Sequence, residues 1–340
     1  MKQRTVMKQR ITIRDVGRAA GVSVGTVSKA LNGTGSVAPD TAQRVLAAAD
    51  RLGYRPSRAA QGLVGGRSFQ VGYGLPQLGA WGNPTLNAFL HAMVGAAAGH
   101  GLEIVLFRGQ AHDTAPYDDL VRRGVVDGFV VSDTDYEDAR VDHLLDEGVP
   151  FVTFGRTAAS ERHFWVDVDG GAGTAQLTER LIERGHSHFG VIAWPEGSES
   201  GDLRVDGVLR TLRAHGHRPP AVARSLHGVE YGREAMAQLL DSHPDLTAVI
   251  AVEDELAIGA IQEARSRRLA VGVDVDIAGF DDIPSAAIID PPLTTVRQPF
   301  DQIGGVLVDM LAEALSGVGT PRGELLTPIV IERASTGVDR

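Results

Sequence analysis

Four places in this sequence set polar side chains behind short apolar runs: Ser132 after Gly128–Val131, Arg156 behind Phe151–Phe154, Glu253 and Asp254 after Ala248–Val252, and Asp281 after Ile277–Phe280. A guanidinium, a hydroxyl and several carboxylates so placed offer donors and acceptors to the hydroxyl edges of a small polar molecule, because polar atoms taken out of water cost free energy unless paired. The same residues lack what bond-breaking needs. The chain has no cysteine, so thiolate nucleophiles, disulfides and cysteine-held metals are excluded. No Gly-x-x-x-x-Gly-Lys phosphate loop and no His-Glu-x-x-His occurs, and Gly72-x-Gly74 lacks the third glycine of a dinucleotide fingerprint. Asp281 and Asp282 are adjacent carboxylates of a kind that exchanges protons, yet no nucleophile or metal set accompanies them. The expectation is a binding protein without a cofactor, not an enzyme.

The elements that must position these residues alternate along the chain. Apolar runs recur at 71–75, 104–107, 128–131, 151–154, 189–193, 248–252 and 277–280, with helical patterns near 86–99, 137–147, 173–185, 229–241 and 254–268. Nearly continuous apolar strands are covered on both faces, and their alternation with helices indicates parallel, doubly wound α/β sheets. Ligands of such sheets sit beyond the carboxyl ends of the strands, where Ser132, Arg156, Glu253, Asp254 and Asp281 fall. A body of about 270 residues is large for one such sheet, so two lobes with a cleft between them are expected.

Ahead of this body the charge changes sign. Residues 1–68 hold twelve Lys and Arg against three Asp, whereas the remainder holds 21 basic and 40 acidic residues, which together give the net charge of -10. A basic head on an acidic body suits a polyanion-binding module, since phosphate neutralisation supplies the sequence-independent part of DNA affinity. Thr12 followed by Asp15 forms a capping-box pattern, and Ile13, Val16, Ala19 and Ala20 recur at helical spacing before Gly21. Ser23 caps a second helix with Val24, Val27, Ala30 and Leu31 on its apolar stripe, stopped at Asn32-Gly33. Pro39 opens a third, whose Ala42, Val45, Leu46, Ala49 and Leu52 face inward before Gly53, although Ala38 is a poor cap. Three short helices with a tight Gly turn make a helix-turn-helix unit. No run of eighteen apolar residues exists and the first residues are basic and polar, so no membrane span or secretory signal is expected and the cytoplasm is the expected compartment.

The stretch from Ile13 to Gly33, with Val22-Ser23-Val24-Gly25-Thr26-Val27-Ser28, and the later Leu52-Gly53-Tyr54-Arg55-Pro56 resemble the head of the lactose/galactose repressor (LacI/GalR) family of transcription regulators. The resemblance implies that the second helix enters the major groove, with Val24 and Gly25 at base-reading positions and Lys29 donating to guanine acceptors. Thr12, Ser23, Thr26, Ser28, Asn32 and Tyr54 would then contact phosphate oxygens and set register without choosing sequence. Residues 57–66 resemble the family's hinge helix, with Ser57, Arg58 and Ala60 beside the DNA and Leu63 wedged into a minor-groove base step. That segment is too short to be helical alone, and Gly62 weakens it by roughly 1 kcal/mol relative to Ala.

Gly185-His186, Asp169 with Gly173, Arg204, Glu253-Asp254, Gly279 to Asp282 and Leu293 to Gln298 carry the resemblance through the body and imply a periplasmic-binding-protein-like sensor. In it Arg204, Asp254, Asp281 and Gln298 are the expected hydrogen-bonding partners of an effector. Arg156, Ser132 and Glu253 support them, Trp165 is the stacking platform, and Trp81 and Asn83 close the entrance. His186, in a His-x-His spacing that otherwise suggests a metal, becomes a structural residue. Glu253 and Gly170 stand where relatives commonly have Asn, so the effector cannot be copied from them. The implied organisation is a basic arm (1–10), a helix-turn-helix domain (11–56), a hinge (57–66) and a sensor (67–340). The sensor's first lobe takes about 67–163 and 296–325, and its second about 164–295 and 326–340. A homodimer on a near-palindromic operator, governed by a mono-, di- or oligosaccharide, is the expected regulator, with no C-terminal tetramer helix. The alternatives are a sugar receptor without DNA regulation, which leaves the basic head unexplained, and a carbohydrate-modifying enzyme with a DNA-binding head.

Overall fold

The computed structural model of the protein describes residues 11–32, 36–54, 67–75, 83–110 and 112–337. The chain divides into two units, Met1–Phe69 and Gln70–Arg340. The expected hinge residues Ser57, Arg58, Ala60, Gly62 and Leu63, and Trp81, lie outside the described residues.

In the first unit, α1 (Ile13–Ala20), α2 (Val24–Asn32) and α3 (Pro39–Leu52) enclose one small core. The backbone N–H of Thr12 donates to Asp15 at 3.0 Å and its hydroxyl at 2.7 Å, so the first helix starts where the capping pattern puts it. Gly21 ends α1 at φ +68, and Gly53 ends α3 at φ +66, the left-handed conformation that glycine adopts without steric cost. Val16, Val27 and Val45 are fully buried. Three inward expectations fail: Leu46 is 52% exposed, and Ala19 and Val24 are also exposed, while Ala48 takes the seat on α3 at the next turn's inner face. A three-helix head this small has room for only a narrow apolar stripe on each helix.

The second unit holds two parallel sheets. The first contains β1 (Gln70–Leu75), β2 (Glu103–Arg108), β3 (Gly128–Val131), β4 (Phe151–Phe154), β5 (Phe164–Val168) and β11 (Gly323–Leu326). Their order is β11-β5-β4-β3-β1-β2. α4 (Pro84–Gly99) and α11 (Phe300–Ser316) cover one face through Phe89, Met93, Leu307 and Leu311, while α5 (Ala115–Arg122) and α6 (Ala139–Asp146) cover the other through Tyr117, Val141 and Leu144. The second sheet contains β6 (Phe189–Ala193), β7 (Ala221–Arg224), β8 (Ala248–Ala251) and β9 (Asp276–Ala278), in the order β7-β6-β8-β9. It packs with α7 (Gly170–Glu183), α8 (Glu199–Ala214), α9 (Val229–Ser242) and α10 (Asp254–Ser266). An added Cβ at Gly207 would stand 2.2 Å from the Gly171 carbonyl, and one at Gly259 2.0 Å from that of Val229, so these helix pairs cross backbone to backbone.

The chain passes between the lobes after Val168, between β10 (Thr295–Arg297) and α11, and between β11 and β12 (Ile329–Ile331), β10 and β12 forming an antiparallel ribbon. The first passage corrects the expected boundary at 163: β5 pairs with β4 and β11 and therefore belongs to the first lobe. Its sequence, Phe-Trp-Val-Asp-Val, alternates apolar and polar at its end and so escapes a rule tuned to continuous apolar runs. α5, α8 and α11 were likewise not among the anticipated helices.

Candidate functional site

On the head, α2 begins at Ser23, whose Oγ accepts from the Thr26 N–H at 3.2 Å and bonds the Thr26 hydroxyl at 2.9 Å. That cap leaves Ser23, Val24, Gly25 and Lys29 exposed at the helix's start and along one side. Val24, expected both in the apolar stripe and at a base-reading position, is 42% exposed, and Val27 fills the core in its place. A Cβ at Gly25 would meet only Ser23 Oγ, at 3.8 Å, so the backbone is open to close approach from outside. Thr26, Ser28 and Tyr54 are half-buried, Tyr54 packing against the head core, and Thr12 is exposed but engaged with Asp15. The Asn32 side chain lies outside the described residues. A buried Gly17, whose Cβ would come within 3.0 Å of the Val22 carbonyl, lets α1 and the turn close tightly enough to project α2.

In the second unit, a cavity of about 1070 Å³ is lined by Asn83, Ser132, Arg156, Arg204, Glu253, Asp254, Asp281 and Gln298, every described residue expected there except Trp165. These residues come from both lobes and from strand ends far apart in the chain. Trp165 is the correction. It stands near the start of β5, at the end of the sheet away from the cleft, and its ring lies across Gly323 of β11, where a Cβ would approach to 1.7 Å. Asp167, two residues onward on the same strand face, does reach the cavity.

Arg204 on α8 is the best-defined group. It is 7% exposed, with its guanidinium carbon 3.7 Å from the centre of the Phe280 ring and 5.2 Å from that of Trp194. Nη1 donates to the Val252 carbonyl at 2.6 Å and lies 3.6 Å from Asp281 Oδ1. Asp281, at φ +114, also accepts from Gln298 Nε2 at 2.6 Å. Burial pushes the Asp281 carboxyl up to about 6 against the pull of Arg204, and burial lowers Arg204.

The other expected partners are largely engaged within the protein. Asp254 accepts from the Ile283 N–H at 2.8 Å and from the Thr295 hydroxyl at 2.5 Å, and burial raises its carboxyl well above the usual range. It ties the turn carrying Asp281 to α10, a framework task. Glu253 accepts from His227 Nδ1 at 2.9 Å and the Gly228 N–H at 3.0 Å. Arg156 Nε donates to Asp167 at 2.8 Å, Ser132 bonds the Tyr73 hydroxyl at 2.6 Å, and Asn83 caps α4 by accepting from the Leu86 N–H at 2.9 Å.

Among the described residues, three buried polar atoms at the cavity have no partner: Arg204 Nε, Trp194 Nε1 and Glu199 Oε2. Buried polar groups are nearly always paired, so these atoms mark where a bound molecule would satisfy them. Trp194 and Glu199 were not anticipated. Trp194 directly follows the β6 run, so the strand-end rule that found Asp281 would have found it; Glu199 opens a helix the sequence patterns did not reveal. Trp194 also carries the His227 ring at a centroid distance of 4.5 Å, which makes this pair the aromatic wall that Trp165 was expected to supply. Among the described residues, no group of three His, Asp or Glu is placed to hold a metal, and His186 bonds Asp276 at 2.9 Å as a framework pair.

A helix-turn-helix head followed by a two-lobed α/β body with a polar cleft is the architecture of a transcription regulator. The comparisons with known proteins agree. Residues 12–57 match the family described as bacterial regulatory proteins, lacI family, and residues 178–336 match a periplasmic binding protein-like domain. The transcriptional regulator MalR of Streptomyces coelicolor is 34% identical over 339 residues, 95% of this chain and 96% of its own. The lac repressor dimer bound to operator superposes with a TM-score of 0.82 at 26% identity, covering 97% of this chain and all of that one. A complex of the regulator CelR with cellobiose gives 0.72 at 29% identity over 96% of this chain and all of that one. The chain belongs to the lacI family of DNA-binding transcription regulators, and its relatives are regulators and not enzymes.

Proposed function

We propose that the protein is a cytoplasmic repressor that binds a near-palindromic operator as a homodimer and is controlled by a small saccharide held in the cleft. The carrying observation is the coincidence of three unsatisfied buried polar atoms with an aromatic wall in one cavity. Two donors and an acceptor beside a ring suit a pyranose, which offers hydroxyls on its edge and C–H groups on its face. On the head, Val24 and Gly25 would make apolar contact with base edges, Lys29 would select guanine, and Thr12, Ser23, Thr26, Ser28, Asn32 and Tyr54 would hold phosphates. Residues 57–66, with Ser57, Arg58, Ala60 and Leu63, would enter the minor groove as a paired hinge. A sugar that prefers one arrangement of the lobes changes operator affinity by its differential binding, typically ~1–3 kcal/mol.

Thermal-shift screening of mono-, di- and oligosaccharides, followed by gel shift with each hit, tests the sensor, and footprinting tests the head. Two protected half-sites related by a twofold axis are expected. A single asymmetric half-site occupied by a monomer, or no preference for any duplex over random competitor at moderate salt, overturns this function.

A further inference from the structure

Phe280, Arg204, Trp194 and His227 form one stacked column that runs from the core of the second lobe to solvent. The Arg204 guanidinium carbon lies 3.7 Å from the centre of the Phe280 ring and 5.2 Å from that of Trp194, and the Trp194 and His227 rings stand 4.5 Å apart. Exposure rises along it in step: Phe280 is 0% exposed and Arg204 7%, Trp194 is half-buried, and the His227 side chain is 65% exposed. Tyr231, on the first turn of α9, is also exposed and lines the same cavity.

The column is fastened by the protein itself. Trp194 lies across Gly201 of α8, where a Cβ would stand 2.8 Å from its ring, and its carbonyl accepts from Arg224 Nη1 at 2.8 Å. Arg224 also pairs with Asp202, which accepts from the Gly197 N–H at 2.9 Å, so the turn between β6 and α8 is closed on itself. Glu253 holds His227 through Nδ1 at 2.9 Å. A wall held in place this way needs little ordering when a ligand arrives.

The polar atoms without a partner follow the same gradient. Arg204 Nε lies deep, Trp194 Nε1 one step outward, and Glu199 Oε2 at the start of α8, where Arg156 and Asp167 of the first lobe act on its carboxyl. A single pyranose that meets Arg204 Nε covers one step of the column and leaves its outer, more exposed half in water. The cavity, about 1070 Å³, stands at the upper end of the roughly 300–1,000 Å³ that enclose a drug-sized ligand, so it has room for more. We propose that the effector is a saccharide of at least two linked rings, the inner one held at Arg204 and the outer one laid along Trp194 and His227, and that a monosaccharide is a poor ligand. This rests on the reading of the cleft as a saccharide site. The inner ring brings an oxygen to Arg204 Nε, and the outer ring brings one to Trp194 Nε1 and covers the wall with its C–H groups. The glycosidic bond delivers the second ring to the next step of the column without a second loss of translational freedom, which is how linked units gain affinity.

The test is isothermal titration of the full-length protein with monosaccharides and their own disaccharides: glucose with maltose and cellobiose, mannose with β-1,4-mannobiose, and xylose with β-1,4-xylobiose. The best disaccharide is expected to bind about tenfold or more tightly than the best monosaccharide, about 1.4 kcal/mol. In His227→Ala, which strips the outer end of the column, that advantage is expected to shrink about fivefold, and in His227→Phe, which keeps a ring beside Trp194, to be retained. A smaller advantage in the wild type, or a monosaccharide that binds best, overturns the inference and leaves the saccharide reading standing. An advantage unchanged in His227→Ala, or lost equally in His227→Phe, overturns the assigned seat of the second ring. Binding of no sugar of the set by protein that still binds its operator overturns the inference and counts against the saccharide reading as well.

Discussion

The head and the cleft are built on opposite principles. The head's proposed DNA-reading surface, Ser23, Val24, Gly25 and Lys29, comes from seven consecutive residues at one capped helix start, whereas the cleft draws on strand ends and helix starts from Asn83 to Gln298. One depends on a local cap and a core of a few alanines and valines; the other depends on two sheets and three chain passages being correct together. The contrast teaches that damage to the head should act on DNA alone, while damage to the cleft should act on both ligand and signal.

Arg204→Met should have the largest effect. It removes a buried cation on which Asp281 depends, so saccharide affinity should fall on the order of a hundredfold by titration calorimetry, while sugar-free operator binding persists. If operator affinity fell equally, the separation of the two regions would be broken. Lys29→Ala should cost about 1–3 kcal/mol of discrimination at one base pair, measured by competitive gel shift against operator variants, with the sugar-induced thermal shift intact. Trp194→Ala should weaken saccharide binding by roughly fivefold, in line with about 1 kcal/mol for an aromatic contact, whereas Trp165→Phe should leave it within about twofold. The reverse ranking would restore the platform that the fold removes from the cleft.

The smallest effect is on pH. Asp281 is held at about 6 in the folded protein against 3.8 for the free group, so the folded state binds the extra proton between those values. Its raised carboxyl therefore contributes stability below the lower value that is lost as pH rises through the higher one. Across that window the wild type should lose melting temperature as pH rises, and Asp281→Asn should flatten that fall. An unchanged slope would mean that other buried carboxyls, Asp254 and Asp167 among them, carry the whole dependence.

The difference between the regions also governs what was legible. Each helix of the head announces itself through neighbours: Thr12 with Asp15, Ser23 with Thr26, the left-handed Gly21 and Gly53. Most cleft residues were legible too, because a polar side chain behind an apolar strand must fall at the ligand-binding edge of a parallel sheet. What failed were statements about direction and order. Trp165 lies on the right strand but at the wrong end of it, and Leu46 lies on the right helix but faces outward. Asp254 lies at the cleft, but both its oxygens already hold the framework.

The sequence by itself determined the capped helices, the alternation of strands and helices, the segregation of charge and the strand-end placement of Ser132, Arg156, Glu253 and Asp281, since these depend on residues close in the chain. Only the tertiary structure decided that β5 joins the first lobe, that Trp194 and His227 form the aromatic wall, and that Arg204, Asp281 and Gln298 meet in one cavity. Those outcomes depend on how separate strands align and on which charges find partners across long stretches of chain, and no local pattern encodes the result of that pairing.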